Sequence, residues 1–169
     1  MKVTAYIGLG ANLHDPIAQV EYAITELDGI PTTRLVARSS LYATTPVGYV
    51  DQPDFINAVA QIETRLAPRA LLRALLDIEQ RHGRERSFRN APRTLDLDLL
   101  LYGNAHFDED HLTLPHPRMT ERAFVLLPLT EIAPHIGIPG HGLAADWITS
   151  CADQRVLPIR PEQRAIAGL

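Results

Sequence analysis

Two aspartates with one residue between them, Asp96 and Asp98, stand inside a leucine-rich run, Pro92-Arg93-Thr94-Leu95-Asp96-Leu97-Asp98-Leu99-Leu100-Leu101-Tyr102. On a strand the side chains alternate, so Leu95, Leu97, Leu99 and Leu101 are expected on one face and Thr94, Asp96, Asp98 and Tyr102 on the other. The two carboxylates then sit side by side, about 6.5–7 Å apart at Cα. Like charges at that spacing, on an element otherwise made for a core, are costly unless a cation lies between them. Mg²⁺ suits the need, since it takes hard oxygen ligands, often one or two carboxylates with substrate phosphates completing the shell. The plainer alternative is a wet sheet face whose aspartates pair with surface arginines.

The segment just upstream weighs against that alternative. Residues 81–93 carry Arg81, Arg84, Arg86, Arg89 and Arg93 against the single Glu85, a local charge of +4 in a chain of net charge −4. A local charge opposite to the global one marks a concentrated anion site. Arginine is almost the only cation present, because Lys2 is the sole lysine. That excludes a P-loop lysine, whereas guanidinium groups grip phosphate oxygens bidentately and keep their charge at any working pH.

These groups need elements to position them. Val3 to Gly8 reads as a strand, and Asp15-Pro16 opens a helix with Asp at N-cap and Pro at N1. Ile17, Val20, Ile24 and Leu27 recur at helical spacing until Gly29-Ile30-Pro31 stops them. Residues 34–42 alternate as a second strand with Leu35, Ala37, Ser39 and Leu41 on one face, and residues 55–62 read as a third. The connection 43–53, with Pro46, Gly48 and Pro53, is longer than a hairpin needs and reads as a binding loop or lid. A second helix is expected from Pro68 to about His82, ended by Gly83, before the aspartate strand. The order β-α-β-β-α-β predicts an α+β, ferredoxin-like antiparallel sheet with both helices on one face, Asp96 and Asp98 on the open face, and a C-terminal extension. In that extension Leu112-Thr113-Leu114 reads as a short strand, residues 122–127 as a helical turn or two cut short by Pro128, residues 144–151 as a small helix, and the tail after Val156 as a loose cover.

Composition bounds the rest. With 169 residues, 46% hydrophobic and 21% charged, the chain reads as a single domain over residues 1–169. Its acidic balance argues against broad nucleic-acid binding. A lone Cys151, and no apolar run near the ~18 residues of a membrane span, point to a cytoplasmic protein. Gly8-Leu9-Gly10-Ala11-Asn12-Leu13 lacks the third glycine of a dinucleotide-binding turn, so Gly10 is expected to serve a turn. His111 and His116 are not spaced as a zinc pair, and Ser39 and Ser40 have no elbow glycines.

The stretch Arg89-Asn90-Ala91-Pro92-Arg93-Thr94-Leu95-Asp96-Leu97-Asp98-Leu99-Leu100 resembles the signature of the 6-hydroxymethyl-7,8-dihydropterin pyrophosphokinase family, whose members move pyrophosphate from ATP to a pterin alcohol in folate synthesis. The likeness extends to residues 6–13, 39–42 and 51–58, to Leu112-Thr113-Leu114-Pro115-His116-Pro117 and to Arg122-Ala123-Phe124-Val125-Leu126, covering roughly residues 4–135. It implies that Asp96 and Asp98 hold two Mg²⁺ ions, and that Arg84, Arg86 and Arg93 grip the triphosphate of ATP, with Arg84 and Arg93 counted as catalytic beside the aspartates. Glu79, Thr113, His116 and Arg122 match nucleotide contacts. Thr44, Val47, Phe55, Asn57, Asp96 and Phe124 match the pterin pocket, with Asn57 reading the ring's polar edge between Phe55 and Phe124. It further implies small-molecule substrates without nucleic acid, membrane or an obligate protein partner. The chain departs from the family pattern at Asn90, where several relatives carry tryptophan, at Pro117 and Leu76, and in an arginine loop one residue shorter and without lysine.

Two other classes share parts of this pattern. A metal-dependent glycosyltransferase also grips nucleotides with Asp-x-Asp and arginines, but its doubly wound domain needs more parallel strands than these 169 residues supply. A ferredoxin-like RNA-binding module would carry aromatics and a basic face on the central strands, where this chain carries two aspartates.

Overall fold

A computed structural model describes residues 1–45, 53–83 and 95–159. Strand β1 (Val3–Ala11) leads to helix α1 (Pro16–Leu27). Asp15 takes the cap role its sequence suggests, accepting from the Ala18 N–H at 3.4 Å, with Pro16 in the first turn. Strands β2 (Thr33–Arg38), β3 (Tyr42–Thr44) and β4 (Phe55–Thr64), helix α2 (Pro68–Arg81) and strand β5 (Asp96–Tyr102) complete the ferredoxin-like order. All pairings are antiparallel, and β1 lies between β4 and β5, so the strand bearing the aspartates is the last of the sheet on that side.

The face toward α1 and α2 is a continuous apolar core. Ala5, Ile7, Leu9 and Ala11 of β1, Ile56, Ala58, Ala60 and Ile62 of β4, and Leu95, Leu97 and Leu99 at β5 meet Val20, Ile24 and Leu27 of α1 and Leu71, Leu75 and Ile78 of α2. Period-2 alternation then sends Gly8, Gly10, Asn57, Asp96 and Asp98 to the opposite face.

That opposite face is not wholly open. Beyond the hairpin β6 (Phe107–Glu109) and β7 (Leu112–Leu114), helix α3 (Ala123–Ile132) lies across it. After the short pair β8 (Gly137–Ile138) and β9 (Gly142–Leu143), a 3-10 helix (Ala144–Cys151) packs beside α3. Together they bury a second core of Tyr6, Tyr42, Val59, Leu100, Leu101, Met119, Val125, Leu126, Leu129 and Cys151. The part of the face near Asp96 and Asp98 is left as a cleft.

Four local expectations are corrected. Helix α3 runs through Pro128 to Ile132 instead of ending before it. Pro128 is buried among apolar neighbours, and that packing offsets the lost backbone bond. The expected strand 34–42 is two strands, with a register shift between Leu35 and Ala37 and a break after Arg38. There the Ser39 hydroxyl accepts from the Val59 N–H at 2.9 Å and donates to the Ser40 carbonyl at 2.8 Å, a side chain replacing the ladder. The tail is no loose cover through Pro158, because β10 (Val156–Pro158) pairs with β3 and extends the sheet.

The fourth correction concerns β5 itself. Tyr6 pairs with Leu101 but Ile7 pairs with Leu99, leaving Leu100 as the extra residue of a bulge. The alternation therefore changes phase at Leu100. Leu101 joins Tyr6 in the second core, while Tyr102 packs against the helix-side core and donates its hydroxyl to the Leu66 carbonyl at 2.7 Å. Leu101 does not share a face with Leu95, Leu97 and Leu99, nor Tyr102 with the aspartates.

Candidate active site

A cavity of about 230 Å³ opens on the sheet face away from α1 and α2. Its floor is a row of cross-strand neighbours: Asp96 on β5 faces Gly10 on β1, Gly10 faces Asn57 on β4, and Asn57 faces Tyr42 on β3. One step along, Asp98 faces Gly8. The rim comprises Thr44 of β3, Phe55 of β4, Arg122 just before α3, and Phe124 and Val125 on its first turn.

The two glycines are what make this floor a hollow. Gly10 does not serve a turn; it lies within β1 between Asn57 and Asp96. A Cβ there would come within 2.8 Å of the Asn57 amide nitrogen, closer than such atoms approach. Asn57 is buried and held from the other side by the Thr44 hydroxyl, which donates to its amide oxygen at 2.7 Å. A fixed amide at the base of an apolar slot presents a defined donor and acceptor to a flat heterocycle.

The acidic side of the cavity faces a cation. Arg122 lies 3.8 Å from the Asp98 carboxylate, an ion pair beyond direct hydrogen-bond length, and its guanidinium sits 5.4 Å from the centre of the Phe124 ring. Burial pulls the Arg122 pKa down, with Asp98 acting in the opposite sense. Arg122 thus reaches the aspartates and one aromatic wall at once.

His116 follows β7, its backbone N–H held by the Leu100 carbonyl at 2.9 Å. Its Nδ1 accepts from the Arg118 N–H at 3.2 Å, which leaves Nε2 as the donor of the neutral ring. Burial lowers its pKa, Asp98 opposes this, and Arg122 and Arg118 reinforce it.

Asp96, Asp98, Thr44, Phe55, Asn57, Arg122 and Phe124 are thus brought to one cavity. Glu79 does not line it. Its buried carboxylate accepts the Leu97 N–H at 2.7 Å, bracing the backbone between the two aspartates. Thr113 is exposed on the β6–β7 hairpin. Arg84, Arg86, Arg93 and Val47 lie outside the described residues. Gly8 and Gly10 were missed as site residues. The signal available was their own alternation with Ile7 and Leu9, which marks them as one face of a strand.

The aspartate pair supplies oxygen donors of the kind Mg²⁺ takes, and no group of three or more His, Cys, Asp or Glu side chains able to hold a metal occurs among the described residues. A hard cation held by only two carboxylates keeps positions for ligand oxygens, as a phosphate-bridging ion requires.

Residues 6–134 match the family model described as 7,8-dihydro-6-hydroxymethylpterin-pyrophosphokinase. The chain is 43% identical over 159 residues to the 2-amino-4-hydroxy-6-hydroxymethyldihydropteridine pyrophosphokinase of Haemophilus influenzae, covering 94% of this chain and 99% of that one. It is 45% identical over 146 residues to the protein of the same name from Pseudomonas aeruginosa, covering 86% and 90%. Among solved structures, wild-type Plasmodium falciparum HPPK-DHPS with pteroate shares the fold at a TM-score of 0.70 and 14% identity over 89% of this chain, which spans 44% of that longer one. No described helix is long and apolar enough to cross a membrane. On the strength of a match through both the sheet and α3, the chain belongs to the 7,8-dihydro-6-hydroxymethylpterin-pyrophosphokinase family.

Proposed function

We propose that this chain transfers pyrophosphate from ATP to the hydroxymethyl group of 6-hydroxymethyl-7,8-dihydropterin, giving the pterin diphosphate and AMP, a step of tetrahydrofolate biosynthesis. The observation that carries the reading is the convergence of an aspartate pair, a clamped amide and an aromatic wall on one sheet-face cavity. The pterin ring lies between Phe55 and Phe124, with its polar edge against Asn57. Thr44 holds that amide in place, and Val47 matches the family's pterin contacts by sequence.

Asp96 and Asp98 would hold Mg²⁺, two ions by family resemblance, which when bound neutralises phosphate charge and makes the attacked phosphorus more electrophilic. Everything else asked of the protein is alignment and charge, since phosphoryl transfer needs no protein nucleophile. Asp96, beside Gly10 and the amide, orients the attacking hydroxyl. Arg122 stabilises negative charge next to the aromatic wall. His116, as a neutral ring, donates through Nε2 to the nucleotide, and Thr113 completes that side, while Glu79 acts from beneath the sheet by holding the Leu97 N–H between the two aspartates. Arg84, Arg86 and Arg93 supply the remaining cationic grip, Arg84 and Arg93 on the transferring group. The same reading takes residues 1–169 as one pyrophosphokinase domain, cytoplasmic, with small-molecule substrates and no obligate protein partner.

Incubation with ATP, Mg²⁺ and 6-hydroxymethyl-7,8-dihydropterin tests it. AMP should accumulate in step with pterin diphosphate, and only when the pterin is present. ADP as product, or hydrolysis of ATP at a comparable rate without pterin, overturns the reading.

A further inference from the structure

Helix α3 and strand β3 are the two walls of the cavity that come from different layers, and one side chain ties them together. Glu131, in the last turn of α3, accepts the Tyr42 hydroxyl at 2.7 Å and the Ser40 hydroxyl at 3.0 Å. Its two oxygens also take the Ser40 N–H, at 2.9 and 3.1 Å. All of these donors belong to the segment where β2 has ended and β3 begins. Bonds to a carboxylate are the stronger kind, and several converging on one group fix its position and theirs.

The geometry of the two elements carries the tie to the cavity. Phe124 and Glu131 are seven residues apart on α3, hence on one helix face and about 10 Å from each other along the axis. Tyr42 and Thr44 are two apart on β3, hence on one strand face. The helix and strand therefore meet at two rungs. Tyr42–Glu131 is the closed one. Thr44, with the Asn57 amide it holds, stands opposite Phe124 across the cavity as the open one. Tyr42 is also the cross-strand neighbour of Asn57, so a shift of the closed rung moves the residue next to the amide.

We infer that Glu131 is a positioning residue for the pterin subsite: its bonds to Ser40 and Tyr42 set the gap between Phe124 and the Thr44–Asn57 pair. Glu131 does not line the cavity and touches no reacting atom. The inference rests on the proposed pyrophosphokinase reading. A gap set wrongly by a fraction of an ångström weakens the stacking of a flat ring, while Asp96 and Asp98 on β5 and Thr113 and His116 at β7 stay where they were; among the described residues Arg122, at the start of α3, is the phosphate-side group that moves with the helix.

The experiment is steady-state kinetics on Glu131→Ala, Glu131→Gln and Tyr42→Phe, with ATP and the pterin varied separately. A misplacement of about 1 Å can cost about 10²-fold, so for a smaller shift Glu131→Ala should raise the KM for pterin by about tenfold while the KM for ATP rises much less. Glu131→Gln keeps one acceptor oxygen and should recover part of the loss. Tyr42→Phe removes a single rung and reads the same split if Glu131→Ala does not fold. Equal rises in both KM values, an unchanged pterin KM in both Glu131→Ala and Tyr42→Phe, or no recovery in Glu131→Gln overturns the inference alone. A wild-type protein that forms no AMP from ATP and pterin overturns the underlying reading, and the inference with it.

Discussion

Replacing Gly10 by alanine puts one methyl group where the structure has no room for it. The new Cβ would meet the Asn57 amide nitrogen at 2.8 Å, with the next nearest atom, the Ile56 carbonyl oxygen, at 3.9 Å, so the strain falls on the amide alone. Asn57 is buried, and the Thr44 hydroxyl bonds its oxygen at 2.7 Å, so the amide cannot turn away freely. Pushing the side chain off its rotamer costs about 0.5–1.5 kcal/mol. Losing the Thr44 bond costs about the same again. A total of about 1–3 kcal/mol weakens pterin binding roughly 5- to 150-fold. Global stability should fall by up to about 2.5 kcal/mol, because the reduced freedom of the unfolded chain, about 0.4–1 kcal/mol, offsets only part of that penalty. Titration of the pterin in the presence of a non-hydrolysable ATP analogue, with a urea melt alongside, measures both quantities. Gly8→Ala is the comparator. Its Cβ would touch only Leu100, at an ordinary 3.5 Å, so it should be the milder change. In a background of Asn57→Ala the added methyl has nothing to displace, and the double variant should bind pterin no worse than Asn57→Ala alone. Wild-type pterin affinity in Gly10→Ala would refute the reasoning, as would additive losses in the double variant.

Asp96→Ala and Asp98→Ala should each lower turnover by about two orders of magnitude or more with unchanged circular dichroism, since both side chains face the cavity and neither supports the core; wild-type-like rates at saturating Mg²⁺ would contradict the assignment. Burial, then the hydrogen bond to Glu131 and its charge, push the Tyr42 phenol well above its ordinary value of 10. The folded state therefore keeps a proton that the unfolded state releases, so this contribution is intact below about pH 10 and is lost as pH rises toward the folded value. Urea stability should fall over that alkaline range, less steeply in Tyr42→Phe. Tyr102→Phe removes the hydroxyl that reaches the Leu66 carbonyl and should cost about 1 kcal/mol of stability, read as a lower urea midpoint; an unchanged midpoint would put Tyr102 on the cavity side.

The aspartates were legible because their chemistry and their periodicity agree: carboxylates alternating with Leu95, Leu97 and Leu99 admit one orientation on a covered sheet. The helices were legible for a similar reason, with Asp15-Pro16 and Gly83 marking ends that hydrophobic spacing alone would blur. The bulge was not. Leu99-Leu100-Leu101 offers the same apolar signal in any phase, so no pattern distinguishes a continuous strand from one that skips a residue. The break at Ser39 was hidden because a serine hydroxyl occupies the ladder position, and propensity is silent on such substitutions. Pro128 misled because its cost is local, whereas the burial that offsets it comes from the sheet beneath α3. The site's amide, aromatics and arginine come from separate elements, and only the family resemblance joined them before the fold did.

The bulge at Leu100 makes β5 two half-strands out of step, the first written for a ligand and the second for packing. Deleting Leu100 would let β5 pair with β1 without interruption, because Tyr6–Leu101 and Ile7–Leu99 would then follow one another and both halves would keep their faces. Asp96 and Asp98 would stay in the cleft and Tyr102 on the Leu66 carbonyl. The strand would lose only what the extra residue brings: a leucine that fills the second core beside Gly8, and the carbonyl that accepts the His116 N–H at 2.9 Å. The residue that pairing does not need is therefore the one that fastens the segment after β7 to the aspartate strand, and shortening β5 by one would be felt at His116 before it was felt at the aspartates.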